Sequence, residues 1–225
     1  MGEWPADEDG LERAQDALAA AAPAAWRFEP DVQVGACYVC FRRGVGGRGA
    51  RGEPGWAAAA LGLRVHDPVA VVTGVAGAAY TPGWLALREG PLLEAAVRAL
   101  PEPPDVVLVD ATGRDHPRRA GLALHLGAVL DLPTVGVTHR PLLAHGDWPA
   151  EERGAHAPLV IDGETVGAWL RVAARRRPLA VHAAWRTDIA TAITVVLAAT
   201  GSVRTPEPLR RARRAARRVR SGDGG

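Results

Sequence analysis

Acidic and basic side chains crowd one stretch of the chain, Asp105 to Gly121, which reads Asp-Val-Val-Leu-Val-Asp-Ala-Thr-Gly-Arg-Asp-His-Pro-Arg-Arg-Ala-Gly. Val106 to Val109 is an apolar, mostly β-branched run that ends in Asp110 and meets a turn at Gly113, the pattern of a buried parallel strand. The Asp110 carboxylate is thus expected at the carboxyl end of a strand, where open α/β sheets place their ligands. His116, Arg118 and Arg119 follow closely, with Pro117 suited to the first turn of the next helix. Together they offer a carboxylate for a metal ion or a proton, an imidazole, and two guanidiniums that match phosphate. An isolated strand-end aspartate would more simply turn the chain; here it has company.

The elements that must position this set follow from the flanking patterns. Asp9 to Ala22 reads as an amino-terminal helix capped near Asp7 or Asp9 and ended by Pro23. Val32 to Arg42 alternates as a long strand, Gly44 to Gly55 is a glycine-rich turn, and Trp56 to Leu63 and Val69 to Thr73 follow as antiparallel partners. The pattern then changes to helix (Leu85 to Leu100), strand (Val106 to Val109), helix (Pro117 to Leu130) and strand (Thr134 to Val137), as in a parallel sheet with crossover helices. After a polar loop over His145 to Ala157, the spacing predicts a hairpin of Leu159 to Ile161 and Val166 to Val172 around Asp162-Gly163. A strand from Leu179 to His182 and a helix from Asp188 to Ala199 complete the domain. A meander feeding a parallel half predicts an α/β fold of ribonuclease H-like type, a mixed sheet flanked by helices. The expected organisation is a helix and lead-in over residues 1–30, a single domain over 31–205, and an arginine-rich tail over 206–225 that ends in disorder from Ser221.

Composition narrows the setting. A chain of 225 residues with 48% hydrophobic content is large enough for one well-buried core. Net charge is only +2, so no global field advertises a polyanion, yet every basic residue is arginine and seven of them lie between Arg210 and Arg220. Cys37 and Cys40, three apart on a strand, should point to opposite faces, which argues for buried thiols in a reducing compartment rather than a bridge or a metal pair. The amino end is acidic and no apolar run reaches membrane-spanning length, so a cytoplasmic protein, a monomer with no membrane partner, is expected.

Asp110 with Gly113, His116-Pro117-Arg118-Arg119 and Gly121, then His125-Leu126-Gly127 and Asp131 to Val137, closely resembles the central block of endonuclease V, nucleases that cut DNA or RNA near deaminated adenine. Tyr80-Thr81-Pro82-Gly83 followed by Leu85 to Glu89 is similar to that family's wedge and helix-start motif, and Gly167 to Arg171 and Arg204 to Pro208 match later signposts. The resemblance spans Asp31 to Arg213 and implies a ribonuclease H-like fold, Mg2+ as cofactor and inosine-containing nucleic acid as partner. Glu89 and Asp110 are then metal ligands, with His116 and His139 as further catalytic candidates. Tyr80 is the wedge, and Gly83, Leu85, Gly113 and Leu142 line the base pocket, although Leu85 and Leu142 serve a core nearly as well. Arg88, Arg118, Arg119 and the tail would meet phosphates, a solvated basic face being the alternative for the tail.

Departures from the family pattern cluster at the metal site. Relatives carry a Val-Asp-Val-Ser-Tyr type motif on the first strand; the residues matched to it are Val34-Gly35-Ala36-Cys37-Tyr38, which sets Gly35 in place of a metal-holding aspartate. Asp31 shares that face but lies about 13 Å away along a strand. Asp115, beside Asp110, offers a relocated carboxylate, against a solvated turn aspartate as the plainer reading. His139 replaces a lysine, Trp185 falls at a Gly-His pair, Arg213 replaces an acidic or histidine residue, and Ala111-Thr112 replace Gly-His or Gly-Asn. The expectation is Mg2+ held weakly or not at all, with cleavage weak or lost and recognition retained.

Overall fold

The computed structural model describes residues 3–42 and 49–222, so part of the glycine-rich turn expected after the first strand lies outside the described residues. Eight strands form one mixed sheet of order β3-β2-β1-β4-β5-β8-β7-β6. β1 (Val34–Phe41), β2 (Pro54–Leu61) and β3 (Val69–Val75) are the antiparallel meander, and β4 (Val106–Val109) and β5 (Thr134–Thr138) run parallel to β1. β6 (His156–Ile161) and β7 (Glu164–Leu170) form the hairpin, with Asp162 and Gly163 both at positive φ in its two-residue turn, and β8 (Leu179–Ala183) joins it antiparallel to β5.

Helices cover both faces, as parallel strands buried on two sides require. Cys37, Val107 and Val109 face α1 (Glu8–Ala20), α2 (Leu85–Arg98) and α3 (Leu122–Leu130); Ala36, Val106 and Leu108 face α4 (Ile189–Ala198) and α5 (Glu207–Gly222). The Asp7 side chain caps α1 through Gly10 N, and the Asp188 side chain caps α4 through Thr191 N. Cys37 and Cys40 are buried on opposite faces of β1, outside any disulfide. Among the described residues no helix is long and apolar enough to cross a membrane.

Two expectations need correction. The helix after β4 begins at Leu122 with Gly121 as its cap, not at Pro117. Residues 115–120 are a folded loop instead, held by the Asp115 and His116 side chains and passing through Arg119 in the left-handed region (φ 53°). The arginine-rich tail is no appendage: it is α5, with Leu209, Ala212 and Ala216 buried, the two alanines against Cys40, Trp56, Ala58 and Ala60. Small residues on both surfaces let the helix approach the sheet closely. Arg211 crosses inward to the carbonyls of Leu61 and Gly62, 2.8 and 3.2 Å away. Ser221 and Gly222 close the helix, and residues 223–225 lie outside the described residues.

Candidate functional site

Asp110 leaves the carboxyl end of β4 where the sequence places it, and Glu89 projects from the second turn of α2 into the same crevice. Burial pushes the Glu89 carboxyl up to about 7, with Arg88 opposing the rise and the Asp110 charge adding to it. The third member comes from β1, and it is Cys37 rather than Gly35. Cys37 pairs with Val109, one residue from Asp110, and its thiol is raised by burial first and then by the charges of Asp110 and Glu89. Gly35 pairs with Val107, further from the crevice, and a Cβ there would stand 2.8 Å from the Pro104 side chain. The β1 side chain nearest the two carboxylates is therefore a thiol that burial favours in its protonated form.

A cation already occupies the crevice. Arg213 of α5 places Nη2 2.8 Å from Asp110 Oδ2, with its guanidinium 5.5 Å from the centre of the Tyr38 ring. Among the described residues its buried Nε has no partner. Arg217 flanks it, 3.1 Å from the Tyr38 hydroxyl. The exposed His139 lies within reach of the same charges: partial burial lowers its pKa, Arg204 and Arg213 lower it further, and Asp110 opposes them. These influences together favour the neutral imidazole.

Beside Asp110 opens a cavity of about 170 Å³, lined by Gln15, Tyr80, Pro82, Gly83, Leu85, Thr112, His116 and Leu142 among others. This is the size of engineered cavities that admit one benzene-sized ring, about 150 Å³. Tyr80 stands at its rim, 42% exposed. Gly83 adopts φ +86°, which a side chain would strain. Its carbonyl accepts from His116 Nε2 at 2.9 Å and from Gln15 Nε2 at 3.2 Å. With Nε2 of His116 donating, Nδ1 is free to accept the Arg118 amide at 3.2 Å, so the ring is neutral, as its burial-lowered pKa also requires. Gly113 lines the β4–α3 turn, where a Cβ would lie 2.2 Å from the Ala183 carbonyl; its role is close approach to β8.

Several predicted residues face elsewhere. Asp115 is neither a relocated ligand nor solvated: it is fully buried, and its carboxylate accepts the backbone amides of Leu142, Leu143 and Ala144 at 2.6 to 2.8 Å. That clamp sets Leu142 at the pocket. Arg88 does not point outward to phosphates; it is buried, paired with Glu53, donating to Ala50 and Ala78 carbonyls and stacked on Phe41. Arg118 is held by Glu12 and Asp16 of α1, and Arg119 by Asp162 and Glu164 of the hairpin, so both are partly neutralised.

Comparison with known proteins places the chain in a family. A family model described as Endonuclease V matches residues 58–214. The endonuclease V of Streptomyces avermitilis is 41% identical over 165 residues, 72% of each chain, and that of Azotobacter vinelandii 40% identical over 158 residues, 70% of each. The chain belongs to the endonuclease V family. A crystal structure of the Streptomyces avermitilis endonuclease V superposes with a TM-score of 0.85 at 33% identity, covering 99% of this chain and 96% of that one. The fold is shared more widely. Ciona intestinalis endonuclease V, solved in complex with a 24mer DNA containing an inosine followed by a ribo-adenosine, superposes at 0.75 with 20% identity, covering 96% of this chain and 98% of that one.

Endonuclease V nucleases are generally metal-dependent, but the donor set here does not fit a hard divalent cation. Mg2+ wants carboxylate, carbonyl or phosphate oxygens, whereas Cys37 offers a neutral sulfur and Asp110 is already paired with Arg213. Among the described residues no three His, Cys, Asp or Glu side chains are arranged to hold a metal ion. Sequence reasoning missed Gln15 altogether. It is 2% exposed, and because the Gly83 carbonyl can only accept, the amide nitrogen must face it, leaving Oε1 buried at the pocket with no partner among the described residues. Only its place on the inner face of an amphipathic α1 could have signalled it.

Proposed function

We propose that this endonuclease V relative recognises deaminated adenine, as deoxyinosine or inosine, in nucleic acid, with Mg2+-dependent cleavage lost or reduced by orders of magnitude. The observation that carries this reading is a base-sized pocket adjoining a crevice in which a guanidinium and a thiol lie beside the carboxylates. Extruding a base from the stack costs a few kcal/mol, and an aromatic side chain that fills the gap offsets part of it; Tyr80 is the exposed aromatic at the pocket rim. Deamination turns the amine of adenine into a carbonyl and its ring acceptor into an N–H donor. The free Oε1 of Gln15 is an acceptor suited to that new N–H. Phosphate contacts fall to the exposed Arg214, Arg217 and Arg218 of α5.

The test is fluorescence anisotropy with matched oligonucleotides carrying inosine or adenosine, alongside a nicking assay in Mg2+. Preferential binding of the inosine strand, reduced about tenfold by Gln15→Leu or Tyr80→Ala with little loss of general binding, is the expected result. Equal affinity for both strands would remove the recognition reading. Robust nicking abolished by Glu89→Gln or Asp110→Asn would favour an active endonuclease with a rebuilt site.

A further inference from the structure

We propose that Arg213 is a tethered substitute for a divalent cation: its guanidinium neutralises Asp110, closes the crevice to metal ions, and faces the phosphodiester of a bound strand in their stead. The first two parts stand on geometry alone, and the third rests on the nucleic-acid reading above.

Arg213 is not a mobile surface side chain that has found a nearby carboxylate. Its side chain is 17% exposed, 2.8 Å from Asp110 Oδ2 and stacked over Tyr38 of β1. The helix that carries it is fixed by the buried Leu209, Ala212 and Ala216 and by the inward reach of Arg211. A guanidinium is permanently charged and forks its donors in the geometry of carboxylate and phosphate. One cation already resides here, so an incoming metal ion would have to displace it from Asp110 while finding no third oxygen ligand at Cys37. Mg2+, which gives up its water reluctantly, gains too little in exchange. Outside this pair, a groove of about 550 Å³ continues along α5, lined by Arg210, Arg213, Arg214, Arg217 and Arg218. A phosphate backbone laid in that groove would lie against Arg213, the partner of Asp110.

The free protein and the complex test the parts separately. In the first arm, Mn2+ is titrated into purified wild type, Arg213→Gln, and the double variant Cys37→Asp/Arg213→Asp, and free Mn2+ is followed by electron paramagnetic resonance. Wild type should leave the Mn2+ signal essentially undiminished, and the double variant should deplete it at least tenfold more strongly. Arg213→Gln, which removes charge without adding a ligand, should fall between and covers the case in which the double variant fails to fold. Mn2+ depletion by wild type equal to that of the variants, or no gain in either, overturns the substitution. In the second arm, an inosine oligonucleotide is bound in EDTA and in Mg2+. Equal wild-type affinity in the two buffers, falling about tenfold in Arg213→Gln, is expected. A requirement for Mg2+ would overturn the proposal. Absence of binding in both buffers would refute the nucleic-acid reading and with it the phosphate contact, while the Mn2+ arm still decides the metal question.

Discussion

Cys37 and Gly35 lie two residues apart on β1, and which of them faces Glu89 and Asp110 determines which substitution would bring a further carboxylate to the crevice. The positions of Asp110 after a strand and Glu89 early in a helix were legible because turn residues punctuate both elements. Whether Gly35 or Cys37 stands beside Asp110 was not legible, because a slip of two residues leaves every side chain on the same face and alternation cannot detect it. Only the pairing of Cys37 with Val109 fixes the register. The consequence is measurable. Gly35→Asp should lower stability by about 1–3 kcal/mol in urea unfolding, because its Cβ meets Pro104, and should restore no nicking. Cys37→Asp combined with Arg213→Asp is the substitution expected to recover nicking in Mg2+. Gain of activity from Gly35→Asp alone would show that β1 carries the other residue to the chemistry.

Among the elements, the two loops at the pocket and the helix behind them show where local patterns stop being informative. Asp115 and His116 looked like catalytic groups because of their neighbours in sequence; their partners, Leu142 to Ala144 and Gly83, are 27 to 33 residues away and invisible to spacing. Removing the Asp115 carboxylate leaves three backbone amides unpaired, one of them buried, each worth about 1–3 kcal/mol if no water replaces the bond. Asp115→Ala should therefore lower the urea midpoint markedly and weaken inosine preference through a displaced Leu142, whereas a catalytic ligand would lose activity at unchanged stability. Arg88→Met tests the same distinction on α2: the uncompensated Glu53 should cost about 3–5 kcal/mol, with little change in the salt dependence of binding.

For the whole molecule, charge and acid response follow from how the core was assembled. The order of strands and helices was readable because hydrophobic period and turn chemistry agree along most of the chain. The docking of α5 was not, since a ladder of arginines reads as solvated until the buried face of Leu209, Ala212 and Ala216 is seen. Deleting that segment would therefore unfold the protein rather than test phosphate binding. Replacing the exposed Arg214 and Arg218 by Gln is the cleaner experiment, and should flatten log K against log salt by about one unit per arginine that meets a phosphate. Burial pushes both His125, stacked 4.7 Å from Trp4, and His182 down to about 4. The unfolded chain takes up protons on both as pH falls through about 6.5, while the folded chain resists until about 4. Their contribution is therefore complete above pH 6.5 and is lost on descending to 4, partly offset by Glu89, whose raised carboxyl favours the folded state at the acid end of the same window. His125→Phe should lose less stability than wild type between pH 7.5 and pH 5 in urea titrations. An equal loss would mean that His125 protonates in the folded state as readily as in the unfolded one. The docking of α5 also governs the order in which the molecule can be made. Arg211 closes onto Leu61 across 150 residues, so during synthesis at about 5–20 residues per second the alanine face of β1 and β2 waits on the order of ten seconds or more for its cover. A chain terminated before α5 leaves the ribosome with one face of β1 and β2 uncovered, which makes such fragments natural clients for chaperones and proteases.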